Sequence, residues 1–197
     1  MEDWVRRALE KWPNVPHLYG WLSLDRRGRW RVRDALITRP QIIETINRNY
    51  ACDHRGCWYF QNGPQRGYVA LAYAPLILHV GDEVGERLRT HNGLSVQAIN
   101  ALYLDQEGAL LAATEHGAAL FADQDLVTVC ARITNAAGQS VSDEDLIKAL
   151  DLASGAQTAL SWQWRDQRVC IRRLDQSQAP EKLGFVRVPQ PPGEKDS

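Results

Sequence analysis

The sequence holds no apolar run of the length a membrane helix requires, so no membrane is expected as a partner. It contains no G-x-S-x-G, no P-loop, no G-x-G-x-x-G and no H-E-x-x-H. The familiar signatures of acyl transfer, phosphate cradling, dinucleotide binding and zinc proteolysis are therefore missing, and no cofactor is expected. Four cysteines form no C-x-x-C half-site, and residues 1–12 mix acids and arginines among their apolar positions rather than forming a secretory leader. These absences predict a cytoplasmic protein with reduced thiols and no disulfide framework.

What is present is an ordinary globular composition, with 44% hydrophobic and 24% charged residues in a chain of 197. A chain of this length buries enough surface to fold without a metal or a disulfide. The net charge of −1 conceals a division: residues 1–67 carry 12 Lys and Arg against 7 Asp and Glu, and the remainder carries 11 against 17. The first half can thus present an anion-binding face, although the whole chain is too neutral to be a nucleic-acid binder on charge alone.

Periodicity predicts an α+β fold, mainly antiparallel hairpins and a meander with about three helices. Trp4, Val5, Ala8, Leu9 and Trp12 share one face of a helix over residues 2–12. Tyr19–Val32 reads as a hairpin about Asp25-Arg26-Arg27-Gly28, and 38–48 as a helix capped by Thr38 with Ile42, Ile43 and Ile46 buried. Strands near 50–52, 57–61 and 66–73 follow, joined by turns at 53–56 and 62–65. Trp58, Tyr59 and Phe60 place aromatics on both faces of one strand, which predicts a central strand covered on both sides. Residues 99–121 read as a three-stranded meander, 126–133 as a strand, 142–154 as a helix with Ser142 as N-cap, 158–165 with 168–174 as a hairpin, and 183–188 as a last strand. Both halves repeat a hairpin, a capped helix and a Trp-bearing hairpin. This suggests two similar lobes, 1–80 and 96–188, with a connector over 81–95 and a disordered tail over 189–197.

Three blocks, YGWLSLDRRGRW (19–30), RNYACDHRGCWYFQNGPQRGYV (48–69) and GALLAATEHGAALFADQDL (108–126), resemble a family of small proteobacterial proteins catalogued as a domain of unknown function. The resemblance implies a bacterial, cytoplasmic origin and supplies no activity, cofactor or catalytic residue.

Function is therefore read from side chains alone. Arg29, Arg31 and Arg33 fall on one face of a strand, and Asn62, Gln65 and Arg66 ring the FQNGPQR tip. Together they predict a non-catalytic binding module whose Arg/aromatic surface takes an acidic protein or a nucleic acid. Arg66-Gly67-Tyr68 through Tyr73 resembles an RNA-recognition strand but lacks the central stacking ring, since Ala70 stands in its place. The alternative is a small-molecule or nucleotide enzyme with its site at the seam between the lobes, near His79, Asp82, Glu83 and His91. Cys52, His54 and Cys57 are close in sequence, but three local ligands without paired half-sites do not predict a metal.

Overall fold

The computed structural model describes residues 16–81 and 87–193. The expected helix over 2–12 and the acids Asp82 and Glu83 lie outside the described residues. The fold is α+β, as expected, with strands dominating. The chain divides into two compact units: residues up to Pro75 together with those from Gly184 onward, and Leu76–Leu183.

The first unit holds β1 (His17–Leu24), β2 (Trp30–Val32), β3 (Ala35–Leu36), α1 (Pro40–Arg48), β4 (Tyr50–Cys52), β5 (Trp58–Asn62) and β6 (Gln65–Leu71). Its sheet runs β3-β2-β1-β6-β5-β4, with β1 and β6 parallel and the other pairs antiparallel. The inner face carries Leu22, Leu24, Trp30, Val32, Val69 and Leu71, all buried. Tyr50 packs edge-on against Trp30 at 4.9 Å and tilted against Trp58 at 4.8 Å. α1 begins one residue later than Thr38 capping would require. Pro40 is the first helical residue, and the residue before a proline is held extended, so Arg39 (φ −74°, ψ 118°) is the boundary. Of its three isoleucines only Ile46 is buried, and the Trp30 indole N–H donates to Asn47 on the same helix at 2.7 Å.

The second unit holds β7 (Leu76–Val80), β8 (Leu88–Thr90), β9 (Ser95–Val96), β10 (Ile99–Leu104), β11 (Leu110–Thr114), β12 (Gly117–Phe121), α2 (Leu126–Cys130), β13 (Ile133–Thr134), α3 (Asp143–Leu150), β14 (Gln157–Trp164), β15 (Gln167–Arg173) and α4 (Ala179–Leu183). Its sheet runs β13-β14-β15-β10-β11-β12-β7-β8-β9. The sheet curls, because Phe121 on β12 meets Trp162 on β14 at 5.6 Å although three strands separate them in the order. Residues 76–80, expected in the first lobe, form β7 of the second unit and run parallel to β12, and β8 and β9 fall inside the expected connector.

Read from β12 to β13, the second sheet has the order β12-β11-β10-β15-β14-β13, which matches β3-β2-β1-β6-β5-β4 strand for strand. In each set the middle pair, β1 with β6 and β10 with β15, is parallel. The likeness of the two halves is thus one of topology. The second unit adds β7, β8 and β9 beyond β12.

A shared turn shapes these hairpins. Asp25, Asp53, Asp105 and Asn135 each open a turn whose fourth residue is a glycine with positive φ. In each turn one side-chain oxygen accepts the N–H groups two and four residues on, at 2.7 to 3.1 Å. Gly56 is further constrained, since a Cβ there would lie 2.6 Å from the Gly184 carbonyl oxygen.

Three local expectations change. Residues 126–130 are helical rather than extended, and Val127 in this β-branched run is 83% exposed. The Asp125 carboxylate accepts the Val80 N–H at 3.1 Å and turns the chain there, so tertiary context overrides propensity. Helix α3 has the expected Ser142 cap but stops at Leu150, with Ala149 buried and Ile147 exposed. In place of a strand over 183–188, α4 ends at Leu183, and an irregular return follows, in which Val186 and Arg187 bond the backbone of Gly56 and Leu71. Pro189, at the start of the expected tail, is buried. Among the described residues no helix is long and apolar enough to cross a membrane.

Candidate functional site

Strand register sorts the first sheet into two faces. Leu22 pairs with Val69 and Leu24 with Leu71 on the inner face, so their alternate neighbours point outward. The outward set includes Ser23 opposite Arg31, Tyr59 opposite Tyr68, and Gln61 opposite Arg66, with His17 on the other side of Arg66. Tyr19 joins this face through a shift in register at Gly20, and its ring stacks on Tyr68 at 4.6 Å and 3°.

Arginines lie on these rings. The Arg66 guanidinium sits 4.5 Å from the Tyr59 ring centroid, Arg55 5.5 Å from Tyr68, and Arg33 4.1 Å from Trp21. Such contacts are favourable because the ring face is electron-rich, at about 0.5–1 kcal/mol each when exposed. Arg33 adopts φ 51° because the two-residue turn it shares with Asp34 requires a positive φ at its first position. Asp53 anchors the centre of the face. Its Oδ2 accepts the Tyr68 hydroxyl at 3.1 Å and the Arg55 Nε–H at 3.2 Å. Burial would push this carboxyl up, but the backbone N–H groups of Cys57 and Arg55 outweigh it and hold the pKa below the ordinary value. The Tyr19 hydroxyl is sealed from solvent and makes no formed hydrogen bond among the described residues.

The residues singled out from sequence do not all meet. Arg31 and Arg66 lie on the outer face. Arg29 and Arg33 flank β2 rather than belonging to it, and Arg29 is tied to Asp25 at 2.8 Å. Asn62 and Gln65 pair with one another on the opposite side, where Asn62 borders an apolar cavity of about 360 Å³ beneath α1. The tip therefore divides between two faces. Strand β5 lies second from the sheet edge, not at its centre, and its Tyr59 side is half exposed. His17, Tyr19 and Arg55 escaped the sequence reading; Tyr59 and Tyr68 were read as a core-strand aromatic and as part of an RNA-recognition-like strand, not as one face, and the alternation of Tyr59 and Gln61 was the signal available.

In the second unit, His79 Nδ1 lies 3.3 Å from Asp125 Oδ2. His91 has a structural place: its N–H donates to the Ile77 carbonyl at 2.7 Å, and its Nδ1 accepts the Ile77 N–H at 3.2 Å. It retains some exposed surface, yet its Nε2 is sealed. Burial, helped by neighbouring His79, drives its pKa down to about 3.

Three of the thiols are poor nucleophiles. Burial pushes Cys52 up to about 11, with Asp53 and Cys57 adding to it, and burial also raises Cys57 and Cys130. Among the described residues no group of three or more metal-ligating side chains comes together.

These features define an α+β protein of two topologically related sheets, one of which carries an arginine-on-tyrosine face. Over residues 1–190 the sequence matches the DUF2944 family, whose description reads "Protein of unknown function (DUF2946)", and the chain belongs to that family. The resemblance read from sequence holds at that level. Among solved structures, the chain is similar to a DUF1285 family protein from Silicibacter pomeroyi DSS-3. The two share 13% identity and a TM-score of 0.51 over 84% of each chain, a likeness of fold alone. A DUF1285 family protein from Shewanella baltica OS155 aligns over 55% of this chain and 88% of its own, at 11% identity and a TM-score of 0.41. No curated protein matches the sequence.

Proposed function

We propose that the protein is a non-catalytic binding module that takes an anionic polymer on the outer face of its first sheet. The observation that carries this reading is the set of arginines resting on aromatic rings there: Arg33 on Trp21, Arg55 on Tyr68 and Arg66 on Tyr59. With Arg31 they supply four positive charges, against Asp53 at the centre and Asp25 at one end. A guanidinium already seated on a ring has lost rotamer freedom, so less ordering remains when it meets a phosphate. It also presents a second planar surface for a base to stack on. Interleaved rings and arginines favour single-stranded nucleic acid over an acidic protein, for which the rings would be superfluous.

The test is fluorescence anisotropy with a labelled oligothymidylate, run beside poly-glutamate. Binding should weaken with salt, with a slope of about −0.7 per phosphate contact on logarithmic axes. Replacing Arg31, Arg33 and Arg66 together by alanine should weaken binding at least ~tenfold, and Tyr59→Ala should cost about 1–3 kcal/mol. Preference for poly-glutamate would assign an acidic protein instead. No binding at low salt, or binding indifferent to the triple substitution, would remove this face from consideration.

A further inference from the structure

We propose that the apolar cavity beneath α1 binds a small uncharged amphiphile, an alkyl chain that ends in an alcohol, ester or amide. The cavity has a volume of about 360 Å³, within the range of small-molecule sites. Its floor is Leu22 and Val32 on the inner face of the first sheet, with Ile37 and Ile46, all buried. Ile42 of α1 and Phe60 of β5 line its sides and are half-buried. At about 30 Å³ per heavy atom, the share of a molecule in liquid water, the space takes roughly a dozen such atoms. The site lies on the inner side of the sheet and does not rest on the arginine face.

The helix is fixed so that this space stays open. Its C-terminal half is pinned: the Trp30 indole N–H donates to Asn47 at 2.7 Å, Ile46 is buried, and the Asn49 carbonyl accepts the Gln61 N–H at 2.9 Å. At the other end Pro40 sets the boundary by holding Arg39 extended. Between them Ile42 keeps part of its surface exposed, where a packed interior would have closed it over Val32 and Phe60. Methylene groups placed in the cavity would make the dispersion contacts that these side chains do not make with one another.

The mouth selects an uncharged head. No ionisable side chain is among the described lining residues. The helix N-terminus beside the cavity supplies no anion site, because Pro40 has no N–H and the Ile42 and Ile43 N–H groups both donate to the Arg39 carbonyl at 3.1 Å. An ion drawn into this space would lose its hydration without a partner charge. Gln41 and Asn62 each bring an exposed side-chain amide to the mouth, and neither is engaged elsewhere among the described residues. An amide offers a donor and an acceptor together, which suits an alcohol, ester or amide. The Thr45 hydroxyl is already committed to the Gln41 carbonyl at 2.7 Å. A protein partner fits less well: the cavity runs along α1 only from Gln41 to Ile46, whereas a docked helix sets its anchors over about two turns.

The test is titration of the nitrogen-15-labelled full chain with 1-octanol and with octanoate at neutral pH, followed by amide chemical shifts. 1-Octanol should shift the Ile42, Ile46 and Phe60 amides saturably, and octanoate should bind at least ~tenfold more weakly. Ile42→Trp, which fills the cavity from a half-buried position, should abolish those shifts. Val127→Trp, at an exposed position of α2, should leave them unchanged. Gln41→Leu combined with Asn62→Leu should weaken 1-octanol about tenfold. Shifts that do not saturate, octanoate binding as tightly as 1-octanol, or binding unchanged by Ile42→Trp would each overturn the proposal. A chain that sediments as a dimer and becomes monomeric with Ile42→Trp would give the cavity to a second copy, and would overturn it as well.

Discussion

Replacing Asp53 by alanine should destabilise the first unit by about 3 kcal/mol. The carboxylate closes the β4–β5 turn through the Arg55 and Cys57 N–H groups, and its other oxygen accepts from Tyr68 and Arg55. Alanine leaves two backbone donors and a buried tyrosine hydroxyl without that acceptor, and an unmade buried hydrogen bond costs more than a made one contributes. Asp53→Asn should cost only about 1 kcal/mol, because an amide oxygen can accept both N–H groups. Asn135 fills the same role in its own turn. Urea unfolding followed by tryptophan fluorescence measures both. Equal effects of the two substitutions would show that the turn geometry is not what Asp53 supplies.

Stability should also fall on mild acidification, before ordinary carboxylates titrate. In the folded chain His91 has a pKa of about 3, because its ring is buried and its Nδ1 is committed to the Ile77 N–H. Unfolded, it should titrate near 6.5. Below about pH 6.5 the unfolded chain therefore binds a proton that the folded chain refuses. The contribution is complete above that pH and declines as pH falls towards 3, at up to ~1.4 kcal/mol per pH unit and about 5 kcal/mol in all. Asp53 has a lowered folded value too, so its contribution also disappears with acid, but at lower pH. His91→Asn keeps an acceptor for Ile77 and cannot titrate, so it should flatten the decline between pH 6.5 and 4.5. A wild-type protein equally stable at pH 7 and pH 5 would contradict this account of His91.

The parts of this fold legible in the sequence are those written locally. The Asp-x-x-Gly turns at 25, 53 and 105 announce themselves, as do the Ser142 cap and the buried Trp162 and Trp164 face. Parallel pairing is not local: nothing near His17 indicates Arg66, and nothing near Leu102 indicates Ile171. The outer face was hidden for the same reason. Tyr68, already beside Tyr59 in the β5–β6 hairpin, becomes a neighbour of Tyr19 only through that pairing and through the register shift at Gly20. Arg31 and Arg66 were found by charge, but Asn62 and Gln65 were grouped with them by turn chemistry, which says nothing of faces.

The central parallel pairs also govern the order in which the chain can assemble. Each six-stranded module consists of two local meanders joined by one long-range ladder, β1 with β6 or β10 with β15. Meanders of neighbouring strands close short loops and can form in microseconds, whereas the joining ladder must first overcome the closure entropy of everything between its strands. The β1–β6 and β10–β15 ladders should therefore be the last to gain protection in pulsed hydrogen exchange during refolding. Early protection at Val69 and Ile171 would reverse that order. A chain built on two such joints folds at the pace of its most distant partners, however readily its hairpins form.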